Sequence, residues 1–200
     1  MSSTTTQNAP TDLQAHLARL QELGLVTRID RRIDKDSELH PLARWQFQGG
    51  LPESERRAFL FTNVVGAKGE IFDIPVLVGG LAASSAIYAA GLGVTVDEIG
   101  KVWVRAMANP IEPVLVDDAP CQEIVQVGEE LTAPNGGLAS LPVPISTPGF
   151  DVAPYLTATL CVTKDPENGV QNMGTYRAGL KANDRLGVRM ATRLSGAGGY

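Results

Sequence analysis

Residues 155–169 read YLTATLCVTKDPENG, and residues 170–177 continue VQNMGTYR. The first of these stretches is rich in β-branched and apolar residues and ends in Pro166, Asn168 and Gly169, each a turn former for its own stereochemical reason. A strand followed by a tight turn is predicted. If a second strand returns from Asn172, Gly174 and Tyr176 share its face, and Met173, Thr175 and Arg177 share the other. TYRAGLKANDRLGVRMA then predicts further strand around a turn at ANDR. Upstream, VLVDDAPCQEIVQVGEEL reads as short strands with turns, and LASLPVPIS as an extended proline-rich link. The second half of the chain, from residue 113, is therefore expected to be mainly β.

Before that point the texture is mixed. Asp12 is placed to cap a helix carrying Leu13, Leu17, Leu20 and Leu23 on one face and closed by Gly24. LVTRIDRRI alternates like a half-buried strand. Residues 38–48 predict a short helix with Leu39, Leu42, Ala43 and Phe47 inward, broken by Gly49, Gly50 and Pro52. AFLFTNV and IPVLVGG read as strands about a turn at GAKGE. A small-residue helix follows between Leu81 and Leu92, then an amphipathic one over VTVDEIGKVWVRAMAN, capped at Thr95 or Asp97. The expected organisation is a disordered tail over 1–11, an α/β domain over 12–112, and a β domain from 113 to 200.

Composition narrows the function. At 200 residues, with 44% hydrophobic and 20% charged side chains, the chain carries enough apolar surface for a real core. Seventeen Lys and Arg against 22 Asp and Glu give a net charge of −5, which argues against wholesale binding of nucleic acid or anionic membranes. The apolar run from Ile74 to Val94 is interrupted by glycines and serines and reads as strand, turn and helix, not a membrane span. MSSTTTQNAP lacks the apolar stretch of a signal peptide, so a cytoplasmic protein is expected. Cys121 and Cys161 fit no zinc spacing and read as two buried thiols in a reducing compartment.

Histidine is scarce. His16 and His40 have no partner at metal-ligand spacing and are expected to be ordinary surface or cap residues. No nucleophile elbow is present. GGLAASSAIYAAGLG lacks both the GxGxxG order and the Lys-Ser/Thr of a phosphate loop. Two segments stand out. Asp117 to Glu123, DDAPCQE, is a dense acidic turn before an apolar run. Residues 172–177, NMGTYR, combine a neutral oxygen donor suited to hard cations, a glycine that admits close approach, and a guanidinium fork for carboxylate or phosphate. Read from the residues alone, NMGTYR is either such a site or an ordinary strand.

The order of DLQAHLARLQELGLVTRI, FLFTNVVGAKG, VDDAPCQEIVQVG and LPVPISTPGFDVAPYLTATLCVTKDPENGVQNMGTYR resembles the N-terminal portion of the UbiD-type decarboxylases. The resemblance runs from about Asp12 to the end. It implies a small α/β domain followed by a split β-barrel of flavin-reductase-like type that holds prenylated FMN. Asn172 then matches a ligand of the divalent metal beside the cofactor phosphate. Met173, Gly174 and Thr175 match the stretch lining the flavin, and Arg177 matches the arginine that meets the substrate carboxylate and an active-site glutamate. Glu123 and Tyr176 are read as supports of the site. The family's usual metal-site histidine has no counterpart after Arg177. Arg193, Leu194 or Ser195 stands in that neighbourhood, and Arg193 and Ser195 are expected to contact the cofactor phosphate. That departure puts the usual Mn²⁺ and K⁺ arrangement in doubt.

The implied reaction is reversible, non-oxidative decarboxylation of an aromatic, heteroaromatic or α,β-unsaturated acid through a covalent adduct with prenylated FMN. A flavin prenyltransferase would supply the cofactor, and the full-length protein is expected to form homo-oligomers. Family chains are longer, and their catalytic glutamates fall beyond residue 200. The 200 residues alone are expected to be inactive. Two alternatives follow: a noncatalytic cofactor-binding or assembly subunit, and an ordinary FMN oxidoreductase on a related barrel.

Overall fold

The computed structural model describes residues 9–189. Arg193 and Ser195 lie outside the described residues. The chain divides into two compact units. One contains the residues up to Ile33 with Pro41–Val64 and Asp73–Glu123; the other contains Asp34–His40, Val65–Phe72 and the residues from Ile124 onward.

The first unit begins with helix α1 (Leu13–Glu22). The Asp12 carboxylate accepts from the Ala15 amide at 2.8 Å, satisfying one of the orphan donors of the first turn. At the other end Gly24 adopts φ 67°, and the Gly24 and Leu25 amides reach back to the Gln21 and Leu20 carbonyls. This is the Schellman arrangement, which favours glycine at that position. In chain order there follow β1 (Val26–Ile29), β2 (Ile33–Asp34), α2 (Leu39–Gln48), β3 (Ala58–Phe61), β4 (Val64–Val65), β5 (Ile71–Phe72) and β6 (Val76–Val78), of which β5 belongs to the second unit and β2 and β4 straddle the division. β1 pairs parallel with β3, Val26 opposite Ala58 and Ile29 opposite Phe61. Such a pair needs a crossover, and the connection that carries α2 supplies it. β3 pairs antiparallel with β6, and β2, β4 and β5 form a separate sheet in the order β2-β4-β5. Helices α3 (Ser85–Leu92) and α4 (Ile99–Ala108) complete the unit. Thr95 and Glu98 make a capping box just before α4. Leu20, Ala58, Ala83 and Ile87 form the buried core, with Leu25, Val26, Leu77 and Ala90 packed against it.

Several expectations are corrected here. His16 is buried, 6% exposed, with Nε2 2.6 Å from the Gly80 carbonyl oxygen, whereas Leu13 and Leu23 are exposed. The contact face of α1 is therefore centred one residue away from the leucine stripe. In α2 the buried residues are Leu39, Ala43 and Gln46, and Phe47 is exposed. Gln46 lies inward because its amide pairs with the backbone of Arg57. Nε2 donates to the Arg57 carbonyl and Oε1 accepts the Arg57 amide, both at 3.0 Å. Cys121 is exposed and Cys161 half-buried, so neither is a fully buried thiol.

From Pro110 to Pro154 no strand forms among the described residues. Pro120–Gln122 and Gly137–Ser140 are 3-10 turns, and α5 (Glu129–Thr132) is a single helical turn. The expected short strands over VLVDD and EIVQV are absent because a strand needs a partner ladder, and none is adjacent. After Pro154, sheet structure comprises β7 (Tyr155–Lys164), β8 (Gln171–Ala182) and β9 (Arg185–Val188), an antiparallel meander. The 165–170 turn and the Asn183-Asp184 turn fall where the sequence places them. Asp165 is buried in the first, its Oδ1 accepting the Glu167 amide at 2.8 Å. Asn183 ties the second to the preceding segment, its carbonyl accepting from Leu138 N–H and its amide donating to the Ala133 carbonyl. The described elements thus make a mixed α/β chain with open sheets.

Candidate functional site

Residues 172–177 occupy the first half of β8. Thr163 lies opposite Asn172, Cys161 opposite Gly174, Leu160 opposite Thr175 and Thr159 opposite Tyr176. Strand alternation sends Met173, Thr175 and Arg177 to one face and Asn172, Gly174 and Tyr176 to the other. The two halves of the expected site are thereby separated. Arg177 and Asn172 stand on opposite faces of the described sheet. Gly174 is occupied from within its own strand: a Cβ there would lie 2.5 Å from Tyr176 Cε2. The Met173 face is open, with Met173, Leu160 and Val162 all exposed.

Arg177 is the best-held of these side chains. Nη2 donates to Asp151 Oδ1 at 2.8 Å, and the guanidinium carbon lies 4.4 Å from the centroid of the Tyr155 ring. Tyr155 pairs opposite Gly179, whose missing side chain leaves room for that ring; a Cβ there would fall 2.8 Å from Tyr155 Cε1. The Asp151 side chain is only 14% exposed, and that of Arg177 54%. The hydrogen bond from Arg177 holds the Asp151 carboxyl below the usual carboxylate range; burial opposes it, and the Arg177 charge and the Thr147 amide add to it. Around this pair Tyr155, Thr175, Arg177, Lys181, Gly187 and Arg189 line an open cleft of about 590 Å³. Three cationic side chains on one cleft, two of them planar guanidinium forks, suit an anionic ligand.

Of the other expected site residues, Thr175 lines this cleft, and Met173 is exposed on the same face. Glu123 is exposed at the end of the Pro120–Gln122 turn. Among the described residues no group of three His, Cys, Asp or Glu converges to hold a metal. No helix among them is long and apolar enough to cross a membrane. Sequence reasoning did not single out Asp151, Tyr155, Lys181 or Arg189. Lys181 and Arg189 follow Arg177 at even spacing, a signal the strand reading could have used. Asp151, 26 residues upstream, has no local signal at all.

The fold and site together describe a mixed α/β chain whose antiparallel meander presents an arginine in a cationic cleft. Comparison makes this specific. Residues 17–107 match the 3-octaprenyl-4-hydroxybenzoate carboxy-lyase N-terminal domain, and residues 114–198 match the Rift-related domain of the same carboxy-lyases. The chain belongs to the UbiD family.

Solved structures agree. The UbiD-class enzyme HmfF from Pelotomaculum thermopropionicum, in complex with FMN, is 29% identical over 90% of this chain and 37% of its own, with a TM-score of 0.72. The apo 3,4-dihydroxybenzoic acid decarboxylase of Enterobacter cloacae is 28% identical over 93% of this chain and 38% of its own, with a TM-score of 0.74. The closed form of vanillic acid decarboxylase from Sedimentibacter hydroxybenzoicus shares the fold, with a TM-score of 0.76 at 23% identity over 92% of this chain and 38% of its own. The chain thus spans well under half the length of these relatives.

Proposed function

We propose that this chain provides the N-terminal part of a prenylated-FMN-dependent decarboxylase. Its reaction is the reversible, non-oxidative decarboxylation of an aromatic, heteroaromatic or α,β-unsaturated acid. The observation that carries the reading is Arg177 held at an open cationic cleft in a UbiD-family chain. HmfF, among the similar structures, has been obtained with FMN and, in an evolved dimeric form, with prenylated FMN. When bound, that cofactor supplies the electron-accepting carbon framework on which carboxylate loss becomes feasible.

The chain's own residues do the positioning. Arg177 takes the substrate carboxylate through its remaining N–H groups. The exposed Met173–Thr175 stretch, with Gly174 between, offers a surface for a planar ring system, and Arg193 and Ser195 complete a phosphate contact. Asn172 contributes one neutral oxygen toward Mn²⁺, with K⁺ as a second cation. Because no group of three His, Cys, Asp or Glu converges among the described residues, its fellow ligands would come from outside them. The split β-barrel, domains meeting at residues 112 and 113, a cytoplasmic location, homo-oligomers and a prenyltransferase supplier belong to the same reading.

The test is co-expression with a flavin prenyltransferase, mass spectrometry of the released cofactor, and CO₂ release from a panel of unsaturated and aromatic acids. Prenylated FMN with CO₂ release is the expected result. Ordinary FMN that cycles with a nicotinamide reductant overturns it in favour of an oxidoreductase. The second reading is a noncatalytic cofactor-binding or assembly part. That reading predicts bound prenylated FMN with no CO₂ released until the remaining polypeptide is supplied.

A further inference from the structure

The segment Thr147–Asp151, TPGFD, follows the proline-rich link. In the structure it is a closed turn. The amides of Phe150 and Asp151 both donate to the Thr147 carbonyl, at 3.0 and 2.9 Å, and Gly149 sits at φ 89°, a conformation that excludes ordinary side chains. The turn aims Asp151 in two directions at once. Oδ2 accepts the Thr147 amide at 3.0 Å, which fixes the carboxylate plane to the turn. Oδ1 is left to accept Arg177 Nη2 at 2.8 Å.

The geometry points to Asp151 as a positioning residue: a carboxylate clamped by its own turn that holds the Arg177 guanidinium against the Tyr155 ring, so that its remaining N–H groups face an incoming carboxylate. This rests on the reading of Arg177 as the carboxylate-binding group. An arginine on a strand with half its side chain exposed would otherwise sample many rotamers, and each rotamer frozen on binding weakens the complex. The Tyr155 face removes one direction of motion and Asp151 removes another. Aspartate is required because two acceptor oxygens are in use. An asparagine offers one oxygen and would have to leave either Thr147 N–H or Arg177 without a partner.

The experiment uses the 200-residue chain, with Asp151→Asn as the isosteric variant and Asp151→Ala beside it. NMR reads the Arg177 side chain directly through the proton–nitrogen NOE of its Nε–H, assigned by its loss in Arg177→Lys. Benzoate is the carboxylate probe. A restrained Nε–H in the parent, released in both variants while the backbone fingerprint elsewhere holds, is the expected result. Benzoate affinity should fall about two- to fivefold, the scale of one solvent-screened charged contact. Unchanged Arg177 dynamics and unchanged benzoate affinity in Asp151→Asn overturn the proposal. The two readings separate cleanly. If benzoate leaves the Arg177 resonance unmoved in the parent, the carboxylate reading fails. Release of Arg177 in Asp151→Asn would still uphold the clamp.

Discussion

Gln46 offers a sharp test of how the first unit is held together. It is 1% exposed, and its amide makes two hydrogen bonds to the Arg57 backbone at the entry to β3. Gln46→Leu keeps the volume, so the cavity contribution is small, but it leaves the Arg57 amide and carbonyl without those partners. Each lost neutral hydrogen bond is worth about 1 kcal/mol, and each backbone group left unpaired in the interior costs about 1–3 kcal/mol. Arg57 is half-buried, so water recovers part of this, and a net loss of about 2–4 kcal/mol is expected. With a urea slope of about 2 kcal/mol per M, the midpoint should move down by about 1–2 M. The two tryptophans, Trp45 and Trp103, both lie in the first unit, so their fluorescence follows its unfolding. Phe47→Ala is the natural control. Phe47 is exposed and makes one cation–π contact, with Arg56 at 5.5 Å, worth about 0.5–1 kcal/mol at such a site. Were α2 packed on Phe47, as hydrophobicity alone suggests, the order of the two variants would reverse. That reversal, or a Gln46→Leu midpoint within about 0.3 M of the parent, would refute the reasoning.

Two further outcomes follow from the caps. Asp12→Ala should cost about 1 kcal/mol, the usual loss when an N-cap acceptor is removed, read in the same urea titration. Glu53 accepts from both the amide and the hydroxyl of Ser85 at the start of α3, and the Ser85 hydroxyl bond holds its carboxyl below the usual glutamate range. A depressed folded-state pKa contributes stability above the unfolded value and loses it as pH falls. Between about pH 5 and pH 3, Tm of the parent should therefore drop more steeply than Tm of Glu53→Gln. Parallel curves would show that the contact is not formed in solution.

Local chemistry made much of this chain legible before any tertiary contact was known. Asp12 and Gly24 bracket α1 because caps act over three or four residues. The 155–185 meander is equally readable, since Pro166, Asn168 and Gly169 close the first turn and β-branched residues flank it. Where the sequence reading went astray, the deciding partner was remote. VLVDD and EIVQV carry strand propensity, but a ladder is a property of two segments, and propensity alone supplies only one. His16 and Gln46 are polar and so were not expected in a core, yet each is buried by a backbone partner, Gly80 and Arg57, that no periodicity reveals.

The site divides along the same line. Which chemical groups were available, a guanidinium, an amide oxygen and a glycine within six residues, was determined by the sequence alone, as was membership of the family whose motifs they match. The tertiary structure decided which of them act together. Strand alternation placed Arg177 and Asn172 on opposite faces. Pairing with β7 brought Tyr155 beneath the guanidinium, and a glycine-dependent turn delivered Asp151 from 26 residues away. Residue types set the chemistry because they are covalent facts. Partnership depends on register and chain return, which only the folded backbone specifies.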